Sequence, residues 1–392
     1  MKKTISICII LVVLLCFFGC KSSDYNKAVA LQDAGSYAEA ILLFEKIGDY
    51  KDSSTRLNDC KTVIQYEKAV EKQNSSQYEE ASILFEELGN YQDSSDRLSL
   101  CQNTIKYNKA VDLQTSKDYA SAADLFRTLQ GFLDSDTRLS DCEEMIAAID
   151  KYNAAVAILS EKNDAYSAII DLSVSMAASA DKALDETTRD ILVSAISDAR
   201  NNIVGIPEMA NTANEIIEQA NTISSVDYQD AIQSLTSVQK EFEKSQKQYA
   251  LVNNPSEEYV ISRLQTVPGI LLIEAATEDN DPNGQLHKPG GYTSAIYFSY
   301  DKVKDRFTLE ELQSEGLLKT GTDAGGQIEV YATEKDAIRR NEYLGTFDGT
   351  ILSSGSHIVL GTCVVRTSDE LTATQQKELE TLLIAVLTDL GE

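Results

Sequence analysis

Cys60, Cys101 and Cys142 are separated by 41 residues each, and the segments ending at them, 25–60, 66–101 and 107–142, carry one pattern three times. Each reads Tyr, Ala three residues later, Tyr again, Ala, Phe, then Gly, an aromatic residue and Asp-Ser. A chain that repeats itself at this interval folds as copies of one supersecondary unit, none of which buries its apolar face alone. Leu57, Cys60 and Ile64, and beside them Val63, Tyr66 and Val70, recur at helical spacing. The pattern predicts a helix over 53–73 and a second over 77–88, the latter closed by Gly89 in a left-handed conformation. Asp52, Asp93 and Asp134 stand where an N-cap belongs, a role whose loss costs about 1 kcal/mol.

Ala28, Leu31, Gly35, Tyr37, Ala40 and Phe44 form a ladder that recurs at Ala69, Tyr78, Ala81 and Phe85 and again at Ala110, Tyr119, Ala122 and Phe126. This ladder resembles the tetratricopeptide repeat, each unit being longer than the usual length of about 34 residues. The resemblance covers roughly a third of the chain. It implies stacked antiparallel helix pairs, small residues where helices approach and large ones between them, and a concave surface of the kind that holds peptides or proteins.

Lys2 and Lys3 precede an unbroken apolar run over 7–18, followed by Gly19, Cys20 and Lys21. That run falls short of the roughly 18 residues a membrane span needs and reads as the core of an export signal. The Gly-Cys pair resembles the lipobox of bacterial lipoproteins. The resemblance implies cleavage before Cys20, acylation of its thiol, and a mature chain held on the extracytoplasmic face of the cell membrane by its lipid alone; two acyl chains suffice for stable anchoring.

The formal charge of −27 becomes −29 once Lys2 and Lys3 leave with the signal. Such acidity disfavours nucleic acid and bare anionic lipid as partners. Of the seven cysteines, Cys8 and Cys16 lie in the signal and Cys20 is the lipid site, leaving Cys60, Cys101, Cys142 and Cys363. Equivalent positions in stacked repeats lie about 10 Å apart, beyond the roughly 7 Å between α-carbons that a disulfide tolerates. The four are therefore expected as buried free thiols.

No glycine occurs between Gly131 and Gly205, and the first proline is Pro207, so 143–252 is expected as further helix: 151–179, 185–203, 208–224 and 228–250. At Asn253-Asn254-Pro255 the composition changes to glycine and β-branched residues. Helices are expected at 257–265, 308–315, 334–345 and 373–390 and strands at 270–277, 292–299, 327–332 and 357–366, with capping boxes at Thr308/Glu311 and Thr372/Gln375. The fold class is accordingly multidomain: signal 1–20, an all-α tetratricopeptide-like solenoid 21–150, a helical spacer 151–254, and an α+β domain 255–392 with one sheet and helices on one face.

Asp279, Asp281, Asn283 and Gly284 reproduce the first half of an EF-hand loop, in which alternate oxygen ligands wrap a hard cation. The twelfth position is Gly290 where a bidentate Glu belongs, so a calcium ion here would need a carboxylate from elsewhere, such as Glu278 or Glu329. Neither His287 nor His357 falls in a zinc, triad or phosphate motif, and the glycine-rich stretches lack a strand-to-helix context. The expectation is a non-enzymatic scaffold for a protein partner, without cofactor. Calcium or small-ligand binding by the C-terminal domain and cell-envelope hydrolysis are the competing readings.

Overall fold

The computed structural model describes residues 21–303, 308–350 and 355–391. The signal segment and Cys20 lie outside the described residues. The chain divides into two compact units, the first comprising residues up to Val156 with Glu208–Ile223, the second Ala157–Pro207 with Ser224 onward. The coarse expectation of a helical region followed by an α+β domain holds.

In the first unit, helix α1 spans 21–33, and α2 (Tyr37–Ile47), α3 (Ser53–Asn74), α4 (Tyr78–Leu88), α5 (Ser94–Thr115) and α6 (Tyr119–Arg127) follow. Helix α7 (Ser135–Ala177) contributes its residues up to Val156. Each helix from α2 to α6 packs on the next. Three cores recur in register. Ala28, Ala40, Phe44 and Cys60 form the first, Ala69, Ala81, Phe85 and Cys101 the second, Ala110, Ala122, Phe126 and Cys142 the third. The long helices account for the 41-residue interval: in α3, Leu57 and Cys60 close the first core while Tyr66, Ala69 and Val70 open the second. Each 22-residue helix thus serves two cores at once.

The aspartates at the starts of α3 and α5 do not cap them with their side chains. Asp52 has φ −96° and ψ 19°, away from the extended conformation that aims an N-cap side chain at the first amides. Its carboxylate instead accepts from the Tyr25 hydroxyl at 2.6 Å and from Arg56 Nε at 3.0 Å. A second correction concerns length. The helix expected at 151–179 begins at Ser135 and runs unbroken to Ala177, because neither Gly nor Pro interrupts it. The helix expected at 208–224 starts only at Ala213 (α9, Ala213–Ser224), where Thr212 and Glu215 exchange hydrogen bonds after the Pro207 segment. Ile216, Ala220 and Ile223 of α9 are buried, and Asn211, just before it, accepts from Lys117 Nζ in the α5–α6 turn at 2.9 Å.

In the second unit, α8 (Thr187–Asn201) and α10 (Gln229–Leu251) pack on each other, and with the later part of α7 they enclose Tyr166, Ile170, Leu192, Ile196, Leu235 and Phe242. Tyr166 and Tyr228 stack with centroids 4.6 Å apart. Then come α11 (Glu257–Leu264), β1 (Ile270–Ala275), β2 (Tyr292–Tyr300), α12 (Leu309–Glu315), α13 (Leu317–Thr320), β3 (Gly325–Tyr331), α14 (Glu334–Gly345), β4 (His357–Leu360), β5 (Cys363–Thr367) and α15 (Ala373–Leu387). The sheet order is β1-β2-β3-β5-β4, every neighbour antiparallel.

Alternation sorts the strands onto two covered faces. Ile296, Phe298, Ile328, Val330 and Val365 meet α11 and α15 through Val260, Leu264, Leu379 and Leu383. Ala295, Tyr297, Tyr331 and Val364 meet Leu312, Leu317, Ala337 and Leu344 of α12 to α14. The expectation of helices on one face is therefore corrected: the second face carries the polar stripe Gln327, Glu329, Tyr331, which reads as solvent-facing but is buried because α14 and β5 bring arginines to it. The run expected as one strand at 357–366 is a hairpin, Leu360 pairing with Cys363 around Gly361 and Thr362. Both capping boxes form as expected.

Candidate functional site

Two places concentrate polar side chains in a built arrangement. The first recurs through the repeats. Tyr25, Tyr66 and Tyr107 donate to Asp52, Asp93 and Asp134, and each aspartate also holds the arginine one turn on, Arg56, Arg97 or Arg138. That arginine donates to Gln32, Gln73 or Gln114 at 2.7–2.9 Å. The tyrosine hydrogen bond, with desolvation opposing it and the arginine assisting, holds the Asp52 carboxyl below its ordinary range. Each tyrosine ring stands edge-on to the phenylalanine of its own core, 6.4, 6.2 and 6.0 Å between centroids along the series. The network is therefore intramolecular wiring that fixes α1 against α3, α3 against α5 and α5 against α7. Among the exposed apolar side chains, Leu42 on α2 and Ile83 on α4 occupy matching positions of the second helices, 67% and 58% exposed, while Asp124 takes that position on α6.

The second place is in the α+β domain. A bulge between Tyr292 and Ser294 puts one extra residue in β2 and turns Tyr292 onto the face of its partner Tyr331, the rings meeting edge-on at 6.2 Å. Beneath them Glu329 is fully buried. Its Oε1 accepts from Arg340 Nη2 at 2.8 Å and Arg366 Nη1 at 3.0 Å, its Oε2 from Arg340 Nε at 2.8 Å and the Tyr331 hydroxyl at 2.8 Å. Burial pushes this carboxyl up, but the Arg340 hydrogen bond and the charges of Arg366 and Arg340 outweigh it and hold it below the ordinary range. Above the cluster lies a cleft of about 400 Å³ between the 283–292 loop and α14.

The expected calcium residues are placed differently from one another. Asp281 is the organiser of its loop: one oxygen accepts from the amides of Gln285 and Leu286, the other from the amide of Asn283 and the Tyr292 hydroxyl. Burial raises its carboxyl, and these donors more than offset that and lower it. Asn283 donates to the Tyr297 hydroxyl at 3.3 Å, and Asp279 is exposed. Glu278 meets His287 at 2.9 Å, and Glu329 accepts from its arginines. Among the described residues no group of three or more His, Cys, Asp or Glu side chains is placed to hold a metal ion. His357 contacts Asn341 and Asp348. Arg339, Arg340 and Tyr343 of the cleft carry no motif and went unremarked in the sequence; the signal was an Arg-Arg pair on a helix opposite a strand with Glu at an inward position.

No protein-family model, no curated protein and no solved structure matches this chain.

Proposed function

We propose that the protein is a lipid-anchored, extracytoplasmic scaffold whose tetratricopeptide-like repeats stack as a solenoid and hold a protein partner. Cys20 supplies the anchor and the repeats supply the grip. One observation carries the reading: the same Tyr-Asp-Arg-Gln wiring recurs at three successive positions, all of it turned to fixing helix on helix. Repeats whose recurring polar contacts are spent within the chain present their outward positions for recognition, and Leu42 and Ile83 are apolar at one such position in consecutive units.

Two experiments test it. Labelling cells with a radioactive fatty acid marks the wild-type chain and leaves Cys20→Ala unlabelled; equal labelling of both overturns the anchor. Crosslinking in intact cells followed by mass spectrometry yields links from residues of the repeats to another protein; links confined to this chain overturn the scaffold.

A further inference from the structure

We propose that the cleft between α14 and the 283–292 loop is a binding site for a small oxyanion-bearing ligand, a carboxylate or a phosphate, received by Arg339 and Arg340. Every carboxylate oxygen at the cleft and beneath it is already taken. Both Glu329 oxygens accept two hydrogen bonds. Asp336 Oδ1 faces Arg339 Nη2 at 2.9 Å and its Oδ2 accepts from the Thr333 hydroxyl at 2.6 Å.

The guanidinium groups are not exhausted in the same way. Arg340, with its side chain 19% exposed, spends Nε and Nη2 on Glu329 and leaves Nη1 without a partner among the described residues. Arg339 spends Nη2 on Asp336 and on the Gly290 carbonyl at 2.8 Å, leaving Nε and Nη1. A guanidinium has five N–H donors and no acceptor, so the cleft carries charged donors beyond those its carboxylates receive, with the neutral side-chain oxygens of Asn283 and Gln285 beside them. An oxyanion is the group that balances these donors, and charge-assisted hydrogen bonds of this kind are the strong ones.

The surroundings make the site more than two surface arginines. Arg340 is fixed by a buried bidentate pair, so it is held in place before a ligand arrives. Arg339 is pinned to the loop that forms the opposite wall. Tyr292 and Tyr331 are buried in the floor, and Tyr343 is half exposed at the rim with Arg340 Cζ 5.6 Å from its ring centre. A volume of about 400 Å³ falls at the small end of organic ligand sites. Arg366 adds a second buried cation on Glu329, so that carboxylate does not by itself cancel the positive charge beneath the cleft. The ligand is therefore expected to be a small anion with a flat or apolar body lying against the tyrosines.

Isothermal calorimetry on the full chain in detergent tests this with inorganic phosphate, with benzoate, and with benzamide as the uncharged counterpart. The expected result is saturable heat with phosphate or with benzoate, whichever answers naming the anion, and none with benzamide. Arg339→Gln weakens that binding about tenfold, the loss of one charge-assisted contact, and Arg339→Glu abolishes it. Because Arg339 is exposed, both variants are expected to fold with at most a small shift of the unfolding midpoint, which thermal unfolding checks. No heat from either anion at roughly 10 mM, a concentration that still detects millimolar affinity, overturns the proposal. So does binding that is equal for benzamide or unchanged in Arg339→Gln.

Discussion

The Tyr25 hydroxyl donates to a carboxylate oxygen of Asp52 at 2.6 Å, tying the first helix of one repeat to the start of the long helix of the next. The same bond joins Tyr66 to Asp93 and Tyr107 to Asp134. The wiring is polar and exposed, whereas the cores it frames are apolar and closed, so the cores dominate stability. Phe85→Ala in the central repeat is expected to cost about 3–5 kcal/mol, the range for emptying a buried phenylalanine site. Tyr66→Phe, which removes only the hydroxyl, costs less. Urea unfolding followed by far-UV circular dichroism compares the two, and an equal loss would contradict this ranking.

Gly361 opens the two-residue turn between β4 and β5 with φ +60°. A Cβ there would approach the Val252 carbonyl oxygen to 2.5 Å. Gly361→Ala therefore meets both an unfavourable left-handed conformation and a collision with backbone, and is expected to destabilise the α+β domain by about 1–3 kcal/mol. Thermal unfolding reads the shift directly.

Glu329 gives the domain a pH dependence with a defined direction. Its folded carboxyl titrates below the ordinary 4.5, so its contribution is complete above about that pH and is lost as the pH falls toward the folded value. Glu329→Gln leaves two buried arginines without their counter-charge and is expected to cost about 3–5 kcal/mol at neutral pH. The gap between variant and wild type narrows on acidification below pH 4.5, as near-UV circular dichroism of the tyrosines during unfolding reports. A gap that stays constant from neutral pH to well below pH 4.5 would contradict it, since there the unfolded chain takes up a proton that the folded carboxylate does not.

Cys60, Cys101, Cys142 and Cys363 are free and buried, as expected. Burial pushes the Cys363 thiol up to about 12, so it is protonated as well as enclosed. Treatment of the folded chain with a thiol-specific reagent is expected to leave these four unmodified, and denaturation to expose them together. Rapid modification of Cys363 in the native state would contradict its placement.

The elements legible in the sequence were those with local chemistry. The capping boxes at Thr308 and Thr372 and the stop at Gly89 fix helix ends through neighbours a few residues away. What sequence reading misplaced depends on distant partners. Asp52 reads as a helix cap, yet Tyr25 and Arg56 claim its carboxylate. Helices were expected on one face of the sheet, yet the face bearing Gln327, Glu329 and Tyr331 is covered too, by α12 to α14 and by Arg340 and Arg366 on Glu329. Gly361, inside an apolar run, is the hairpin signal that splits the strand expected at 357–366. In the oxygen-rich loop at Asp279 to Gly284, Asp281 binds backbone amides with the same oxygens an aspartate offers a metal.

The scaffold account is tested most directly by placing a photoreactive amino acid at Leu42 and, separately, at Ile83 in the membrane-anchored chain and irradiating intact cells. The account predicts that both positions crosslink the same protein, and that the reactive group at Asn58, elsewhere on the repeats, does not. Crosslinking absent at both positions, or equal from Asn58, would contradict it.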